Sequence, residues 1–405
     1  MHILLIHQAF ARVDEPGGTR HHEFARFLAD QGHQISIIAS PVSYLTGSKE
    51  KNQKMTVEKD GKITIYRTYT YSALHKSFFH RLISFFSFMV SSFFTALRIK
   101  QVDIVWGTSP PIFQSVTALL IAKIKRVKFL LEIRDLWPAF AVAVGILKNK
   151  TIISMSEWLE KFLYKKADQV IVNSPGYIKY VQEKGARNVC LVPNGADSSI
   201  FSKKESENEL KQKLGWSDYF VVLYAGAHGM SNDLPTILNT AQLLHDEKKI
   251  MFAFIGDGKE KLNLIEKSKQ LALKNTQFLD PVPKVKMVDY LRAADACLAI
   301  LKPIELYKTT FPNKVFDYMA ASKPILLVID GVIRKVVEEA RCGFFCQPGD
   351  PNDIAACILK MKNMDRIELD QMGRNGFQYL QQHFDRQATV KIFSDMIEKM
   401  VGENV

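Results

Sequence analysis

The chain has 405 residues, of which 47% are hydrophobic and 24% charged, which predicts two or more folded domains and excludes a disordered or collagen-like chain. The formal net charge of +12 lies entirely in residues 1–190, which hold 26 Lys and Arg against 14 Asp and Glu, whereas the rest holds 28 of each. A one-sided basic half favours an anionic partner such as nucleic acid, phospholipid or a phosphorylated substrate, although a solvated surface has the same composition.

Short apolar runs that favour strands alternate with helical segments along the chain, a pattern typical of parallel α/β sheets. The first set of predicted strands is HILLIHQ, QISIIAS, ITIYRTYTY, DIVWGT, KFLLEIR, QVIVNS and NVCLVPN. A polar stretch follows, and the second set is YFVVLYAGA, IMFAFIGDG, TQFLD, ACLAIL and PILLVI. We therefore predict two doubly wound domains, residues 1–197 and 198–384, with a C-terminal helix at 385–405 that packs back on the first. Ligands are expected in the cleft between them, beyond the carboxyl ends of the strands.

Two glycines, Gly17 and Gly18, follow the first predicted strand and precede a predicted helix. Their exposed N–H groups suit a phosphate or an acceptor hydroxyl, and a plain tight turn is the alternative. Arg20 and His21 lie beside them and strengthen the prediction of an anionic or sugar ligand.

A strongly apolar segment spans residues 78–100. Between Arg81 and Arg98 lie 16 uncharged residues, which as a helix extend over about 24 Å, less than the roughly 30 Å hydrocarbon core of a bilayer. We therefore expect a helix that docks on an anionic membrane surface and does not cross it. The alternative is a helix packed on the sheet of its own domain.

The loop EIRDLWP follows a predicted strand and carries Glu132, Arg134, Asp135 and Trp137. Charges after a buried apolar run are costly unless they are paired or used, so this loop is a candidate for substrate contact. The alternative is an internal ion pair of Arg134 with Asp135 or Glu132 that shapes the loop.

Glycines of the second half do not complete a known nucleotide motif. FIGDG lacks the third glycine of a dinucleotide fingerprint, and neither a P-loop nor a D-x-D motif occurs, so we expect no metal. In TTFPNKVFDYMAASKPIL a short helix is predicted over residues 312–321, and its free N–H groups suit a diphosphate. Asp317 lies about 7.5 Å along the axis, a spacing that suits a ribose hydroxyl; a solvated Asp is the alternative.

Six segments now stand in one order over nearly the whole chain: PGGTRHHEFARFLADQGHQ, GTSPPIFQSVTALL, EIRDLWPAFAVAVGILKN, PNGAD, FIGDG and FPNKVFDYMAASKPIL. Together they resemble glycosyltransferase family 4, which has the GT-B fold of two Rossmann-like domains. The SPP and RDLWP elements resemble the branch of fucosaminyl- and other aminosugar transferases of bacterial O-antigen and capsule assembly.

The resemblance implies a retaining glycosyltransferase that needs no cofactor and binds no nucleic acid. It would move an N-acetylated aminosugar or deoxyaminosugar from a UDP-sugar to a polyprenyl-diphosphate-linked glycan, with the leaving phosphate helping to accept the acceptor's proton. The scattered cysteines favour reduced thiols, so we expect a cytoplasmic protein on the inner face of the plasma membrane.

The site residues follow from the matched motifs. The donor-binding residues implied are Gly17, Gly18, His228, Val282, Pro283, Lys308, Asn313, Lys314 and Asp317. The acceptor-binding residues expected are Arg20, His21 and Trp137, and the catalytic ones are Glu132, Arg134 and Asp135.

The sequence departs from the family pattern in two places. Thr309 stands where a first carboxylate is expected, and the loop after the first strand of the second domain offers only His228 in place of Arg and Lys. Two alternatives therefore stay open: a UDP-sugar 2-epimerase of GT-B fold and a non-catalytic polysaccharide-assembly scaffold. The sugar, the acceptor glycan, the linkage and the oligomeric state are not predicted.

Overall fold

The computed structural model describes residues 1–42, 55–72, 78–201 and 207–402. Its contacts divide the chain into two compact units. The first unit comprises residues 1–13, 17–193 and the chain from 387 onward, and the second comprises 14–16 and 194–386. Each unit is built around one sheet with helices on its faces.

The first unit contains an eight-stranded sheet in the order β3-β4-β2-β1-β5-β6-β7-β8. Only the edge pair β3–β4 is antiparallel. The order reverses at β1, so the crevice beyond the carboxyl ends of β1 and β5 is a topological switch point, the usual place for a ligand. The strands are β1 (His2–Ile6), β2 (Gln34–Ala39), β3 (Thr56–Asp60), β4 (Ile63–Arg67), β5 (Ile104–Ser109), β6 (Lys128–Ile133), β7 (Gln169–Val172) and β8 (Val189–Leu191).

Six helices of the first unit connect these strands. Right-handed crossovers place α2, α3 and α5 on one face of the sheet, and α3 packs between the other two. The helices are α1 (Arg20–Asp30), α2 (Phe78–Arg98), α3 (Ile112–Lys125), α4 (Ala139–Ala143), α5 (Lys150–Lys166) and α6 (Ile178–Glu183).

Helix α2 forms within the segment 78–100 where the sequence predicts a helix. It has 21 residues and extends over about 32 Å, and Arg81 and Arg98 lie in its first and last turns with their side chains exposed. That this helix docks on a membrane and does not cross it stays a prediction. Among the residues that the structure describes, Phe79–Arg98 is the one helix long and apolar enough to cross a membrane, and 28% of its most apolar window is buried. One side is packed inside the unit, through Phe88, Ser92, Thr95 and Ala96.

The second unit contains a parallel six-stranded sheet in the order β11-β10-β9-β12-β13-β14. Its strands are β9 (Phe220–Ala225), β10 (Ile250–Ile255), β11 (Thr276–Leu279), β12 (Ala296–Ile300), β13 (Ile325–Val328) and β14 (Gly343–Phe345). Its helices are α7 (Glu207–Leu214), α8 (Leu234–Leu243), α9 (Lys261–Gln270), α10 (Lys284–Ala293), α11 (Asn313–Ala320), α12 (Val332–Glu339), α13 (Pro351–Lys362) and α14 (Arg366–His383).

The last helix, α15 (Arg386–Gly402), returns to the core of the first unit. The Phe393 ring lies 4.6 Å from the Trp106 ring and 5.5 Å from the Phe24 ring. Val390 and Ile397 join the same cluster, each at most 1% exposed. The first unit therefore completes its core with residues from the end of the chain.

Candidate functional site

In the second unit, α11 begins beside the turn that follows β9. Lys314 Nζ donates hydrogen bonds to Tyr224 Oη at 2.8 Å and to Asn232 Oδ1 at 3.3 Å, and lies 4.0 Å above the Tyr224 ring. No carboxylate of the described residues lies within ion-pair distance of this ammonium, and burial lowers the pKa of Lys314 to about 7. The neighbouring Asn313 Oδ1 is buried without a hydrogen-bond partner. An anionic ligand would supply the missing countercharge at this helix N-terminus.

The loops after β9 and β10 lie against each other at the same edge of the sheet. A Cβ on Gly256 would lie 1.9 Å from Gly226 O, and one on Gly258 would lie 2.5 Å from His228 O. Both glycines have φ near +150°, so only glycine fits this contact without strain. The two glycines of FIGDG therefore allow the loop after β10 to pack closely against the loop after β9.

His228 is fully buried beside these glycines, and neither ring nitrogen has a hydrogen-bond partner. Burial, together with the charges of Lys261 and Lys314, lowers the pKa of His228 to about 4. His228 is therefore neutral at pH 7 and adds no charge to the site.

A charged pair joins two predicted donor-binding segments. Lys284 Nζ lies 3.0 Å from Asp317 Oδ1, and Lys284 is the first residue of α10, directly after Val282 and Pro283. The loop predicted to contact the base and the carboxylate predicted to bind the ribose thus lie at one place. Sequence analysis missed Lys284, although a lysine directly after the Val282–Pro283 loop was a signal that could have identified it.

Lys308 and Thr309 belong to a short 3₁₀ turn, Glu305–Thr309. Lys308 Nζ lies 2.9 Å from Glu305 and 3.8 Å from Asp330, so its charge already has partners. Thr309 Oγ1 donates to Leu306 O at 2.6 Å and closes the turn. Lys308 is therefore paired with carboxylates, whereas Lys314 contacts only neutral groups among the described residues, so Lys314 is the better candidate to bind an anion.

In the first unit, a buried ion cluster lies at the carboxyl end of β6. Glu132 Oε1 accepts from Arg20 Nε at 3.0 Å, and Glu132 Oε2 lies 2.6 Å from His21 Nε2. Burial alone would raise the pKa of Glu132, but His21 and Arg20 hold it well below its usual range. The alternative predicted for this carboxylate, an ion pair with Arg134, does not form among the described contacts, because Glu132 pairs with Arg20 and His21 instead. Glu132 stays ionised and orients the two residues predicted to bind the acceptor.

His7, which sequence analysis did not single out, joins this cluster directly after β1. Its ring lies 4.2 Å from the His21 ring, and its Nδ1 is 3.0 Å from Thr108 Oγ1. His7 Nε2 is buried without a hydrogen-bond partner. Burial, with the charges of His21 and Arg134, holds the pKa of His7 well below its usual range, so the ring is neutral. A histidine at the end of the first strand, at the switch point, was the available sequence signal.

The loop after β6 places Arg134 at the same edge. Arg134 N donates to Ser109 O at 2.8 Å, its Nη2 donates to Pro110 O at 2.5 Å, and its Nε is buried without a partner. The predicted ion pair with Asp135 does not form among the described contacts, and Asp135 is exposed. Arg134 is thus a cation without a carboxylate partner in the described part of the chain.

Trp137 lies on this loop and is connected to α2 by aromatic contacts. Its ring lies 6.2 Å from the Phe113 ring, which lies 5.3 Å from the Phe86 ring of α2.

Gly17 and Gly18 are exposed just before α1. Gly17 has φ +146°, and a Cβ added to it would lie 2.9 Å from Ala11 Cβ. The backbone N–H groups predicted to meet a ligand are therefore at the surface.

Two family models match the chain. Residues 17–195 match the model described as "Glycosyl transferase 4-like domain", and residues 206–379 match "Glycosyl transferases group 1". The chain is similar to "Probable glycosyltransferase WbjE" of Pseudomonas aeruginosa, with 26% identity over 76% of this chain and 77% of the relative. It is also 27% identical, over 83% of each chain, to WcaI of Escherichia coli (strain K12), described as a colanic acid biosynthesis glycosyl transferase.

Solved structures share the whole architecture. Sucrose-phosphate synthase from Thermosynechococcus elongatus superposes with a TM-score of 0.79 at 17% identity, covering 99% of each chain. Anabaena Alr3699/HepE in complex with UDP-glucose gives a TM-score of 0.71 at 15% identity, covering 98% of this chain and 100% of that one. At these identities the likeness shows the fold.

Proposed function

Because the chain belongs to the glycosyltransferases of the GT-B fold, we propose that it transfers a sugar, with retention, from a UDP-sugar to a polyprenyl-diphosphate-linked glycan in bacterial surface polysaccharide synthesis. The likeness to WcaI supports the polysaccharide, and the UDP-glucose complex of HepE supports a uridine donor. The RDLWP motif supports an N-acetylated aminosugar or deoxyaminosugar as the transferred group.

The observation that carries the proposal is the ammonium of Lys314 at the start of α11, which has two neutral hydrogen-bond partners and no carboxylate partner among the described residues. A donor diphosphate supplies the missing charge, and the first N–H groups of α11 point the same way. Because the leaving group gains charge as the glycosidic bond breaks, a cation and helix N–H groups stabilise the transition state more than the ground state.

The rest of the donor is assigned to neighbouring residues of the second unit. Asp317 binds a ribose hydroxyl, and Val282 with Pro283 lies against the uracil. Lys284 supports both assignments because its pair with Asp317 holds the base loop beside the carboxylate. Gly17 and Gly18 of the first unit supply backbone N–H groups to the donor phosphates and the acceptor.

The first unit supplies the acceptor side. Arg134 has an open Nε, and Trp137 offers an aromatic face to a sugar ring. Glu132 stays ionised and orients Arg20 and His21, so it transfers no proton. The reaction therefore needs no strong protein base, and the leaving phosphate accepts the proton of the acceptor hydroxyl. We propose that no metal takes part, a point that activity in EDTA tests.

A lipid-linked acceptor places the enzyme at the inner face of the plasma membrane, and we propose that residues 78–100 dock it there. Phe86, Val90 and Phe94 of α2 are each more than half exposed, and Arg81, Arg98 and Lys100 flank them. An apolar groove of about 470 Å³ on this helix suits part of a prenyl chain; it is lined by Tyr69, Ile83, Phe86, Ser87, Val90 and Ser91. Ring contacts connect Phe86 of α2 through Phe113 to Trp137, which supports a docking role for α2 close to the proposed acceptor loop.

The test has two stages. UDP-N-acetylhexosamines and their deoxy forms are first screened by thermal shift, because a donor that binds only the native state raises the melting temperature. The best donor is then incubated with a synthetic short-chain prenyl-diphosphate-linked N-acetylhexosamine. Release of UDP with a lengthened lipid-linked glycan supports the proposal. A new UDP-sugar formed without acceptor would indicate a 2-epimerase, and no binding of any donor would indicate a scaffold.

A further inference from the structure

Helix α5 carries an apolar surface that the docking role of α2 does not use. Met155 is 66% exposed and Trp158 is 65% exposed, and Ile152 is exposed one turn earlier. Positions three residues apart lie on one side of a helix. The opposite side is packed inside the unit, through Ser156, Glu160, Leu163 and Tyr164. α5 is therefore a helix with a buried side and a second, outward apolar side.

The charges of α5 favour an anionic partner for this side. Of its two acidic residues, Glu160 is buried and paired with Lys184 at 2.6 Å, and Glu157 is half-buried. Five basic side chains on the helix or just before it are exposed: Lys148, Lys150, Lys161, Lys165 and Lys166. An apolar strip with an exposed Trp and basic flanks matches the headgroup region of an anionic bilayer.

The surface is continuous with that of α2 on one face of the sheet. α3 packs between α2 and α5, and its Leu120 and Ile124 are 45% and 54% exposed. Val142 and Ile146, which follow the loop of Trp137, are exposed as well. Soluble monomers rarely expose so large an apolar face without a partner.

We propose that α5 is the second element of the membrane-docking surface, with Met155 and Trp158 inserted at the headgroup level of an anionic bilayer. The inference rests on the proposed function, because a lipid-linked acceptor is what makes docking useful. One amphipathic helix leaves a bound protein free to roll about the helix axis. Two docking helices separated by α3 fix the orientation of the first unit relative to the bilayer. They thereby also fix the position of the Trp137 loop relative to the membrane surface.

Vesicle flotation with phosphatidylglycerol and phosphatidylethanolamine tests the proposal on the full chain. Three variants are compared with wild type: Met155→Ser with Trp158→Ser on α5, Phe86→Ser with Phe94→Ser on α2, and Leu262→Ser. Leu262 is 79% exposed in the second unit and serves as the matched control. We expect each double variant to bind vesicles roughly tenfold more weakly, Leu262→Ser to bind like wild type, and all melting temperatures to agree within a few degrees.

The outcomes separate this inference from the docking of α2. If the α5 variant floats like wild type and the α2 variant does not, the role of α5 is overturned and the α2 proposal stands. If wild type stays in the soluble fraction at low salt, both fail. A dimer in light scattering that the α5 variant converts to a monomer, with vesicle binding unchanged, would assign this face to a second copy of the chain and overturn the membrane role.

Fluorescence gives an independent measurement. Trp106 and Trp216 are at most 1% exposed, so in a Trp137→Phe variant Trp158 is the tryptophan within reach of lipid. Vesicles with brominated acyl chains should then quench a substantial part of the emission, because bromine quenches only at close range. Emission that brominated vesicles leave unchanged, while the protein co-floats with them, overturns the insertion of Trp158.

Discussion

The Lys284 ammonium lies 3.0 Å from the Asp317 carboxylate, joining the first residue of α10 to the middle of α11 across 33 positions of the chain. Pro283 directly precedes Lys284, so the pair connects the predicted base loop to the predicted ribose ligand. The Asp317 carboxylate therefore has a countercharge within the protein itself, and the ion pair holds together the two segments of the proposed donor site.

We expect Asp317→Ala to weaken the affinity for the UDP-sugar by roughly tenfold or more without unfolding the protein. A charge-assisted hydrogen bond to a ribose hydroxyl contributes about 1.5–3 kcal/mol, and its loss leaves the sugar hydroxyl without a partner. Calorimetric titration with UDP measures the change. Lys284→Met is the companion variant and should have a smaller effect, since Lys284 positions the carboxylate. An Asp317→Ala protein with wild-type affinity would remove this residue from the site.

Lys314→Met should raise the melting temperature at pH 7 while it lowers donor affinity at least about tenfold. A partly desolvated ammonium without a carboxylate partner destabilises the free protein, and a methionine of similar volume has no such cost. Differential scanning fluorimetry with and without UDP measures both effects. A variant that is less stable than wild type yet binds UDP normally would contradict the assignment.

Donor binding should also take up protons near neutral pH. Burial holds the pKa of Lys314 at about 7 in the free protein, and a bound diphosphate favours the protonated form. Affinity should therefore fall as the pH rises above 7, and titration at about pH 7.5 in buffers of different ionisation enthalpy should show net uptake. The Lys314→Met variant should lose this uptake; a wild-type protein whose binding enthalpy is independent of the buffer argues against it.

Glu132→Gln should destabilise the first unit by about 3–5 kcal/mol, because the change removes the negative charge from a buried ion cluster in which Glu132 contacts Arg20 and His21. Urea unfolding monitored by the fluorescence of the first unit's tryptophans measures this loss in the free energy of unfolding.

The stabilisation by Glu132 should depend on pH. Because the folded-state pKa of Glu132 is held low, its contribution to the free energy of unfolding is present above the unfolded pKa of about 4.3 and is lost as the pH falls toward the folded pKa. Glu183→Gln, the same change on an exposed carboxylate of α6, should stay within about 0.5 kcal/mol of wild type. Equal effects at the two positions would be evidence against a buried cluster.

Arg134→Ala should reduce turnover far more than it reduces the melting temperature, since its buried Nε has no hydrogen-bond partner among the residues that the structure describes. Arg126→Ala, at the exposed end of α3, is the matched control for loss of one positive charge from the first unit. Initial rates of UDP release with the prenyl-linked acceptor measure the effect. An Arg134→Ala enzyme with full activity and reduced stability would instead show that this residue shapes the loop.

Most of the fold could be predicted because parallel strands are short apolar runs, and twelve of the strands are recognisable as such without tertiary context. The edge strand TVEKD at Thr56–Asp60 was missed because it is polar and half exposed, so its residues lack the apolar signal. β14 was missed as well, because it begins with a glycine, a residue that is depleted in strands, and its three residues are only partly buried. The helix expected within residues 78–100 is found at Phe78–Arg98, because a long apolar run is a strong local signal.

The site was harder to predict than the fold. Asp317 and Lys314 could be located because a proline precedes a short helix after a strand, which is a local signal. The pairing of Arg20 with Glu132 joins residues 112 positions apart, and it depends on which strands are neighbours in the sheet. The same holds for His7 beside His21, which requires the order reversal at β1.

The position of α15 has a consequence for how the protein is made. Phe393 and Ile397 fill the core around Phe24 and Trp106, yet they leave the ribosome after all of the second unit. During translation the first unit must therefore wait with an incomplete core, exposing apolar surface for the time needed to synthesise some 200 further residues, about 10 to 40 s at 5–20 residues per second. A fragment ending at residue 193 should aggregate for the same reason. The nascent chain would then be a substrate for ribosome-associated chaperones, and emergence of α15 from the ribosome would be the step that allows the first unit to close its core.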